Sequence, residues 1–294
     1  MVAAPPVPPG QPSAEPADAD AATLFAGAAP YYLRYRPRYP DALFADLVER
    51  CALSRGKRVL DLGCGPGFLA VPLAALGAEV GAVDPQPDML AAGRAEAAAL
   101  NCNTITWIEG TAETLAVPGA AAPNAPVIGP VCCATLGRSF HWMQREAVLT
   151  FLDGIVEPQG AVVLVEERRA EDIPWRVAVR DYVKAWHGGE SPSQARNTRR
   201  RSGRSHDAVL RDSPFSHLRT LAYPVARHWS LDSIVGYVYS TSSGNPLLLG
   251  DGAGAFEAGL RECLAALPGA PDFAEEADVV ATLATRPPRS ALGG

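Results

Sequence analysis

The 294-residue sequence predicts an α/β fold with a mostly parallel sheet and helices on both faces of that sheet. Short apolar runs alternate with helical segments between residues 58 and 166, which is the order that βαβ units produce. The first apolar run leads directly into glycines at alternate positions, Gly63, Gly65 and Gly67, as in the ligand-binding turns of such sheets. With 48% apolar and 20% charged residues, the chain has the composition of a globular protein that buries a sizeable core.

The N-terminal segment is expected to become ordered near residue 21. Its aromatic residues have a loosely helical spacing that ends at Arg36-Pro37, because the residue before a proline disfavours the helical conformation. An amphipathic helix is predicted from Pro40, with apolar residues three and four positions apart up to Cys51. The alternating region predicts strands at 58–62, 79–83, 104–108, 127–134 and 161–166, and helices at 68–76, 88–100 and 145–155.

The pattern changes after Glu167. We predict helices at 175–186, 231–240 and 255–267, a polar segment at 187–205, and strands at 218–225 and 277–285 that return to the sheet. The expected organisation is a disordered tail (1–20), an N-terminal helical lid (21–56), a ligand-binding core (57–167), a substrate-facing cap that includes one returning strand (168–275), and a closing strand with a C-terminal tail (276–294).

Charge and composition argue against several classes of partner. The net charge of −6 provides no overall attraction for nucleic acid or an anionic membrane. The six cysteines lack the spacing of a zinc site, so no metal is expected, and free thiols indicate a reducing compartment. No apolar run reaches the roughly 18 residues of a membrane span, and residues 1–20 do not resemble a signal peptide. We therefore expect a cytoplasmic protein, either a monomer or a homodimer.

The loop after the first strand carries the most specific chemistry. Glycine has no Cβ, so a glycine turn lets the backbone approach a ligand closely. The dinucleotide pattern GxGxxG is not met, because Phe68 stands where the third glycine belongs, and no Lys-Ser or Lys-Thr follows as in a P-loop. Asp61 before the glycines favours a cationic ligand over pyrophosphate. Asp84, at the end of the second strand, is the candidate acceptor for both hydroxyls of a ribose.

These segments resemble the class I S-adenosylmethionine-dependent methyltransferases, within which the chain is similar to the type 11 group. Residues 59–67, Val-Leu-Asp-Leu-Gly-Cys-Gly-Pro-Gly, match the family's first motif throughout. Residues 25–40 resemble the pattern FxxxxxxYxxYRPxYP of one subgroup, residues 83–85 with 89–90 the second motif, and residues 110–113 the third. Residues 139–143 resemble the element after strand four. The likeness covers residues 25–166 and is loose beyond them.

The resemblance implies a Rossmann-like class I methyltransferase fold, a seven-stranded sheet with a helical cap, and S-adenosylmethionine as cofactor. The glycines would contact its methionine part, Asp84 its ribose, Ala112 and Glu113 its adenine, and Asp61 would lie beside its amino group. The full candidate cofactor set is Tyr32, Arg36, Asp61, Gly63, Gly65, Gly67, Asp84, Pro85, Met89, Ala112, Glu113 and Thr135. One departure is that the family usually opens strand four with an acidic residue, whereas residues 126–130 read Pro-Val-Ile-Gly-Pro.

The sequence says less about the residues that bind the methyl acceptor. The expected reaction transfers a methyl group to O, N or C of a small molecule, such as a natural product, and the cofactor itself supplies the leaving group. Candidates for a general base are His141, Tyr32 and His187, although His141 is also interpreted as a packing residue and Tyr32 as a lid contact. Alternatives are a different use of the cofactor, by ring closure or cyclisation, and a non-catalytic binding protein.

A basic cluster in the polar segment has two interpretations. It is either a solvated loop or a clamp for a carboxylate or phosphate of the acceptor. Its members are Arg196, Arg199, Arg200, Arg201 and Arg204.

Overall fold

The computed structural model describes residues 24–115, 129–189 and 203–288, and contains a seven-stranded mixed sheet. The strands are β1 (Arg58–Leu62), β2 (Glu79–Asp84), β3 (Ile105–Glu109), β4 (Val131–Gly137), β5 (Val156–Arg169), β6 (His217–Ser230) and β7 (Asp272–Thr285). Their order is β3-β2-β1-β4-β5-β7-β6, and the pairs β3-β2, β2-β1, β1-β4 and β4-β5 are parallel. The predicted α/β fold class is confirmed.

The helices of the described chain alternate with the strands as far as β5 and then accumulate. They are α1 (Ala29–Tyr35), α2 (Asp41–Arg50), α3 (Ala70–Ala75), α4 (Pro87–Ala99), α5 (Ala112–Leu115), α6 (Arg145–Ile155), α7 (Pro174–Trp186), α8 (His206–Arg211), α9 (Leu231–Tyr239), α10 (Pro246–Leu249) and α11 (Ala253–Ala265). Side chains of Ser205, Ser230 and Asn245 cap the N-termini of α8, α9 and α10 by accepting a backbone N–H. Proline occupies the first turn of α1, α4, α7 and α10, where the missing N–H costs nothing.

The predicted elements agree with the structure where the sequence pattern is long or continuous. β1 and α6 have the predicted bounds. β6 and β7 are longer than predicted because most of their additional residues alternate between exposed and less exposed positions. β5 is longer than predicted because polar and partly exposed residues flank its apolar run. The short helices α5, α8 and α10 were not predicted, since four to six residues are too few to show a helical period.

Some sequence predictions lie outside the described residues. These are the tail at 1–20, the first residues of the predicted fourth strand at 127–128, and four arginines of the basic cluster, Arg196, Arg199, Arg200 and Arg201. The described part of strand four begins at Val131.

The chain divides into two units. The second comprises residues 39–167, 201–223 and 279–294, and the first comprises residues 1–38, 168–200 and 224–278. In the second unit, β1, β4 and the middle of β5 are buried, and their apolar side chains form one core with α6, α8 and Phe215. In the first unit, aromatic residues of α7 and α9 pack with α11 in a separate core that contains Trp175, Trp229 and Phe256.

The strand order places a topological switch point beside β1. β1 pairs with β2 on one side and with β4 on the other, so the chain leaves the carboxyl ends of β1 and β4 in opposite directions across the sheet. A crevice at such a point is the usual ligand site of an open α/β sheet. The glycine turn begins directly after Leu62, at this edge.

Candidate cofactor site

The glycine turn after β1 requires glycine at each of its three alternate positions. Gly63, Gly65 and Gly67 have φ angles of +66°, +53° and +83°, in the left-handed region that residues with a Cβ adopt rarely. The N–H of Cys64 donates to the carbonyl oxygen of Val83 (2.9 Å), which ties the turn to β2. The turn therefore lies between the carboxyl ends of β1 and β2.

Space is also restricted at two of these glycines. A Cβ at Gly63 would lie 2.5 Å from Cβ of Ser139, and a Cβ at Gly67 would lie 2.7 Å from the ring of Trp107. Ser139 is held in place because its hydroxyl donates to the carbonyl oxygen of Leu62 (2.7 Å). Ser139 and Trp107 therefore pack directly against the glycine turn.

Asp84 closes the other side of the turn. Its Oδ2 accepts the N–H of Gly65 (2.8 Å) and its Oδ1 accepts the N–H of Gln86 (2.9 Å). Asp84 is buried, and this burial raises the pKa of its carboxyl group, although both N–H donors oppose the shift. Pro85 follows it and is half-buried, and Met89 on α4 is buried.

Asp61 lies on β1 directly opposite Thr135 on β4. The hydroxyl of Thr135 donates to Oδ1 of Asp61 (2.8 Å), whereas Oδ2 is buried and has no hydrogen-bond partner among the described residues. Burial raises the pKa of Asp61 to about 7, against the lowering effect of the Thr135 hydroxyl. A buried acceptor atom without a donor is destabilising, so this oxygen fits a ligand that brings an N–H group.

The loops after β3 and β4 are joined by one hydrogen bond. Oε1 of Glu113 accepts the N–H of Gln144 (2.7 Å), which precedes α6. Ala112 is buried beside it at the start of α5. These contacts bring the third motif against the segment that follows β4.

Comparison with known proteins shows which domain this part of the chain resembles. Residues 59–160 match the family model described as methyltransferase domain, and this range contains the glycine turn, Asp84 and Glu113. Over these residues the chain is therefore similar to methyltransferases.

The matches to curated relatives cover only part of those proteins' length. An uncharacterized methyltransferase of Mycobacterium tuberculosis is 30% identical over 156 residues, which are 53% of this chain and 57% of that protein. A 23S rRNA (uracil(1939)-C(5))-methyltransferase of Shewanella is 38% identical over 93 residues, 29% of this chain and 21% of that enzyme. The chain thus matches just over half the length of the mycobacterial relative.

A solved structure supports the fold. It is a methyltransferase from Geobacter sulfurreducens in complex with S-adenosylhomocysteine, with a TM-score of 0.51 and 16% identity, covering 91% of this chain and 99% of that chain. The Rossmann-like class I methyltransferase fold expected from the resemblance is confirmed.

His141 lies in a short 3-10 turn after β4 (Phe140–Trp142) and is half-exposed. Its ring centroid is 5.2 Å from that of Trp142. The neighbouring Ser139 and Met143 both lie against Gly63, since a Cβ there would be 2.5 Å and 3.3 Å from their atoms. The segment that carries His141 is therefore anchored at the glycine turn.

Tyr32, Arg36 and His187 belong to the first unit of the chain. Nε of Arg36 donates to the hydroxyl of Ser240 (2.8 Å), and the Arg36 guanidinium lies over the rings of Tyr32 (5.0 Å) and Tyr237 (4.8 Å). Nε2 of His187 lies 2.9 Å from the carbonyl oxygen of Ser243. Among the candidates in the second unit, hydrogen bonds join Asp61 to Thr135 and Asp84 to Gly65.

Sequence reasoning missed a charged group at the carboxyl ends of β4 and β5. Nη1 of Arg145 lies 3.2 Å from Nδ1 of His206, and arginine only donates, so Nδ1 is the acceptor and Nε2 carries the proton. Nε2 lies 3.3 Å from Oε1 of Glu166. Nearby, Arg138 has a left-handed φ of +55° and pairs with Glu167 (3.2 Å). The ladder between β4 and β5 brings Arg138 near Glu167, and packing between α6 and α8 brings Arg145 near His206, so no local pattern could show them.

Trp107 and Ser139 were also missed. Both support the glycine turn from other strands, and their sequence signal is limited to an aromatic residue within β3 and a serine after β4.

Arg204 is the described member of the basic cluster. It pairs with Asp212 and lies 3.5 Å from Glu146, so two carboxylates already surround it.

Metal and membrane features were searched in the described residues. There, no group of three or more His, Cys, Asp or Glu side chains is arranged to hold a metal ion. In the same part of the chain, every helix is too short or too polar to cross a membrane.

Proposed function

We propose that this chain binds S-adenosylmethionine at the glycine turn and transfers its methyl group to a small-molecule acceptor. The observation that carries the proposal is Oδ2 of Asp61, a buried acceptor without a donor, next to a turn that only glycines can form. A dinucleotide would bring pyrophosphate to this turn, and the Asp61 carboxylate would repel it. The ammonium group of the methionine part brings both the positive charge and the N–H donors that this carboxylate lacks.

The other residues of the site fit the same ligand. Each carboxylate oxygen accepts more than one hydrogen bond, so Asp84 retains capacity for ribose hydroxyls after accepting the N–H groups of Gly65 and Gln86. The buried Ala112 and the tethered Glu113 offer an apolar surface and a fixed carboxylate for the adenine. Pro85, Met89 and Thr135 complete the proposed set within the second unit.

The proposed reaction needs positioning more than acid–base chemistry from the protein. When bound, S-adenosylmethionine supplies an activated methyl group on a sulfonium that is its own leaving group. The glycine turn holds the backbone close and excludes water, because Ser139 and Trp107 fill the space behind it. His141 remains our candidate to accept a proton from an acceptor hydroxyl, with Tyr32 as the second candidate.

A small-molecule acceptor is supported by charge. The chain carries a net charge of −6, whereas binding to the phosphates of RNA requires concentrated positive charge. The relative that acts on rRNA matches this chain over only 21% of that enzyme's own length.

The first experiment is calorimetry with S-adenosylmethionine and S-adenosylhomocysteine on wild-type protein and on Asp61→Asn, with Glu79→Ala as a control at the opposite, exposed end of β2. We expect both ligands to bind, a loss of roughly ten- to hundredfold in affinity for Asp61→Asn, and no change for the control. Wild-type protein that binds neither ligand would contradict the proposed function.

The second experiment identifies the reaction. The protein is incubated with methyl-labelled S-adenosylmethionine and either a small-metabolite fraction or total RNA. Labelled small molecules together with S-adenosylhomocysteine are the expected products. Label in RNA would overturn the small-molecule acceptor, and release of methylthioadenosine would overturn methyl transfer.

A further inference from the structure

Three side chains of the second unit form a row at the carboxyl edge of the sheet: Arg145, His206 and Glu166. Arg145 begins α6, His206 begins α8, and Glu166 lies on β5. Nη1 of Arg145 lies 3.2 Å from Nδ1 of His206, and Nε2 of His206 lies 3.3 Å from Oε1 of Glu166. Two helices and a strand thus hold the imidazole between an arginine and a carboxylate.

The segment after β4 connects this row to the glycine turn. A Cβ at Gly63 would lie 2.5 Å from Cβ of Ser139, so Ser139 packs against the turn. The next residue, Phe140, packs against His206, with their ring centroids 5.1 Å apart. Consecutive residues therefore contact the glycine turn and the row.

Strand register also places Glu166 near the turn. Val165, which precedes it, pairs with Gly137 at the end of β4, and β4 pairs with β1, which ends at the turn. Neighbouring strands lie about 4.8 Å apart, so two strand spacings, roughly 10 Å, separate Glu166 from the turn. A small molecule beside a ligand in the glycine turn can span this distance.

Arg145 fixes the orientation of the imidazole. Its side chain is buried, and its Nη1 also donates to the carbonyl oxygen of Arg204 (3.0 Å). Arginine only donates, so Nδ1 of His206 is the acceptor and Nε2 carries the ring proton beside Glu166. Because both ring nitrogens are engaged, His206 is not the group that takes a proton from a ligand.

Glu166 is the accessible end of the row. Its side chain is 46% exposed, whereas that of His206 is 14% exposed. The neighbouring Glu167 is only 7% exposed and pairs with Arg138 (3.2 Å). A carboxylate oxygen accepts more than one hydrogen bond, so Glu166 can contact His206 and also accept from a ligand. Of the two adjacent carboxylates, Glu166 is therefore the one that a ligand can reach.

The charges at this edge favour an uncharged donor on the ligand. Arg145 and Glu166 carry opposite charges at the two ends of the row, and Arg138 neutralises Glu167. No excess negative charge is left to attract an ammonium group. The group that suits Glu166 is therefore a neutral O–H donor.

We propose that Glu166 accepts the proton of a hydroxyl group on the methyl acceptor, and that His206 and Arg145 are positioning residues for its carboxylate. The proposal rests on the proposed function and specifies the substrate class as small molecules with a hydroxyl group. The acceptor oxygen forms the bond to the methyl carbon, and the carbon–sulfur bond breaks with its electron pair going to sulfur. The hydroxyl proton passes to Glu166, which acts as a general base.

The test measures the rate of label transfer from methyl-labelled S-adenosylmethionine to a small-metabolite fraction, using the full chain. NMR of the labelled methyl carbon shows whether it is bonded to O, N or C. We expect O-methyl products, and for Glu166→Gln a rate lower by roughly a hundredfold or more with unchanged affinity for S-adenosylhomocysteine. Glu157→Gln is the matched control and should keep the wild-type rate, because Glu157 lies at the opposite end of β5 and pairs with Lys57.

Further variants separate proton acceptance from a structural role. Glu166→Ala leaves space for a small carboxylate, so added formate should restore part of its rate, whereas Glu166→Gln should not respond. His206→Gln keeps an N–H donor near the position of Nε2 and should retain more of the rate than His206→Leu. A Glu166→Ala variant that formate does not restore and that binds S-adenosylhomocysteine weakly would show a structural role and overturn the proposal.

The proposal is also overturned if wild-type protein forms N-methyl or C-methyl products, or if Glu166→Gln transfers label at the wild-type rate. In the latter case, a lower rate for His141→Gln would assign the proton to His141 instead. Wild-type protein that labels no small molecule would overturn the proposed function, and this proposal with it. The two failures are distinguishable, because only in the first does wild-type protein form a labelled product.

Discussion

The hydroxyl of Thr135 donates a 2.8 Å hydrogen bond to Oδ1 of Asp61 across the parallel strands β4 and β1. Both side chains are buried, and Oδ2 of Asp61 is left without a partner among the described residues. Near pH 7 the protonated and ionised forms of this carboxyl group have similar free energies, because burial favours the neutral acid and the Thr135 hydroxyl favours the carboxylate. A cationic ligand therefore shifts the equilibrium toward the carboxylate.

The affinity for S-adenosylhomocysteine should increase with pH. The pKa of Asp61 in the free protein is raised to about 7, so below pH 7 the carboxyl group is mostly protonated and cannot pair with the ligand's ammonium group. Binding favours the ionised form, and the apparent affinity falls roughly tenfold per pH unit below that pKa. Calorimetry between pH 5.5 and 8 should show the increase, and Asp61→Asn should remove it. A flat profile in wild-type protein would contradict this role of Asp61.

Thr135→Val should shift this profile to higher pH. Valine has the shape of threonine but cannot donate, so the pKa of Asp61 loses the larger of the two contributions that lower it, while the Ala70 backbone N–H keeps the other. The midpoint of the affinity profile should move up, while the affinity at high pH approaches that of wild type. An equal loss of affinity at every pH would instead indicate that Thr135 acts only through packing.

Asp84→Ala should weaken binding of S-adenosylhomocysteine by at least roughly tenfold. The substitution removes the carboxylate that accepts the N–H groups of Gly65 and Gln86 and is the proposed ribose acceptor. Calorimetry measures the effect, and Glu79→Ala on the same strand is the control because Glu79 is exposed at its other end. Equal affinities for wild type and Asp84→Ala would exclude Asp84 from the site.

Gly93→Ala tests the packing behind the glycine turn. Gly93 lies in α4, and a Cβ at this position would clash with the ring of Trp107, which also lies at Gly67. We expect a loss of about 1–3 kcal/mol in the free energy of unfolding, measured by urea denaturation, although alanine is the better helix former.

Two variants control for this prediction. Gly154→Ala in α6 should stabilise the protein by about 0.5–1 kcal/mol, because nothing lies within 4 Å of its Cβ. In a Trp107→Leu background the cost of Gly93→Ala should largely disappear. If that cost is unchanged by Trp107→Leu, Trp107 is not the residue that restricts the turn.

Much of the cofactor site could be predicted from local chemistry. Gly63, Gly65 and Gly67 follow an apolar strand and occupy positions of positive φ, a requirement that glycine itself reveals. Asp84 was predicted because an acidic residue at the end of β2 lies at the same edge as the turn. The strands of the core were found by their continuous apolar residues. The ends of β6 and β7 were not, because they alternate in burial, and the ends of β5 were not, because they are polar and partly exposed.

The sequence by itself determined the fold class, the turn and the two carboxylates, since each depends on residue type and on neighbours a few positions away. Only the tertiary structure decided which groups these residues contact. Thr135 hydrogen-bonds to Asp61, 74 positions away, and Glu275 pairs with Arg176, 99 positions away. Arg36 hydrogen-bonds to the neutral Ser240. Such partners follow from strand register and helix packing. An arginine with a counter-ion and one without it are therefore indistinguishable until the chain is folded.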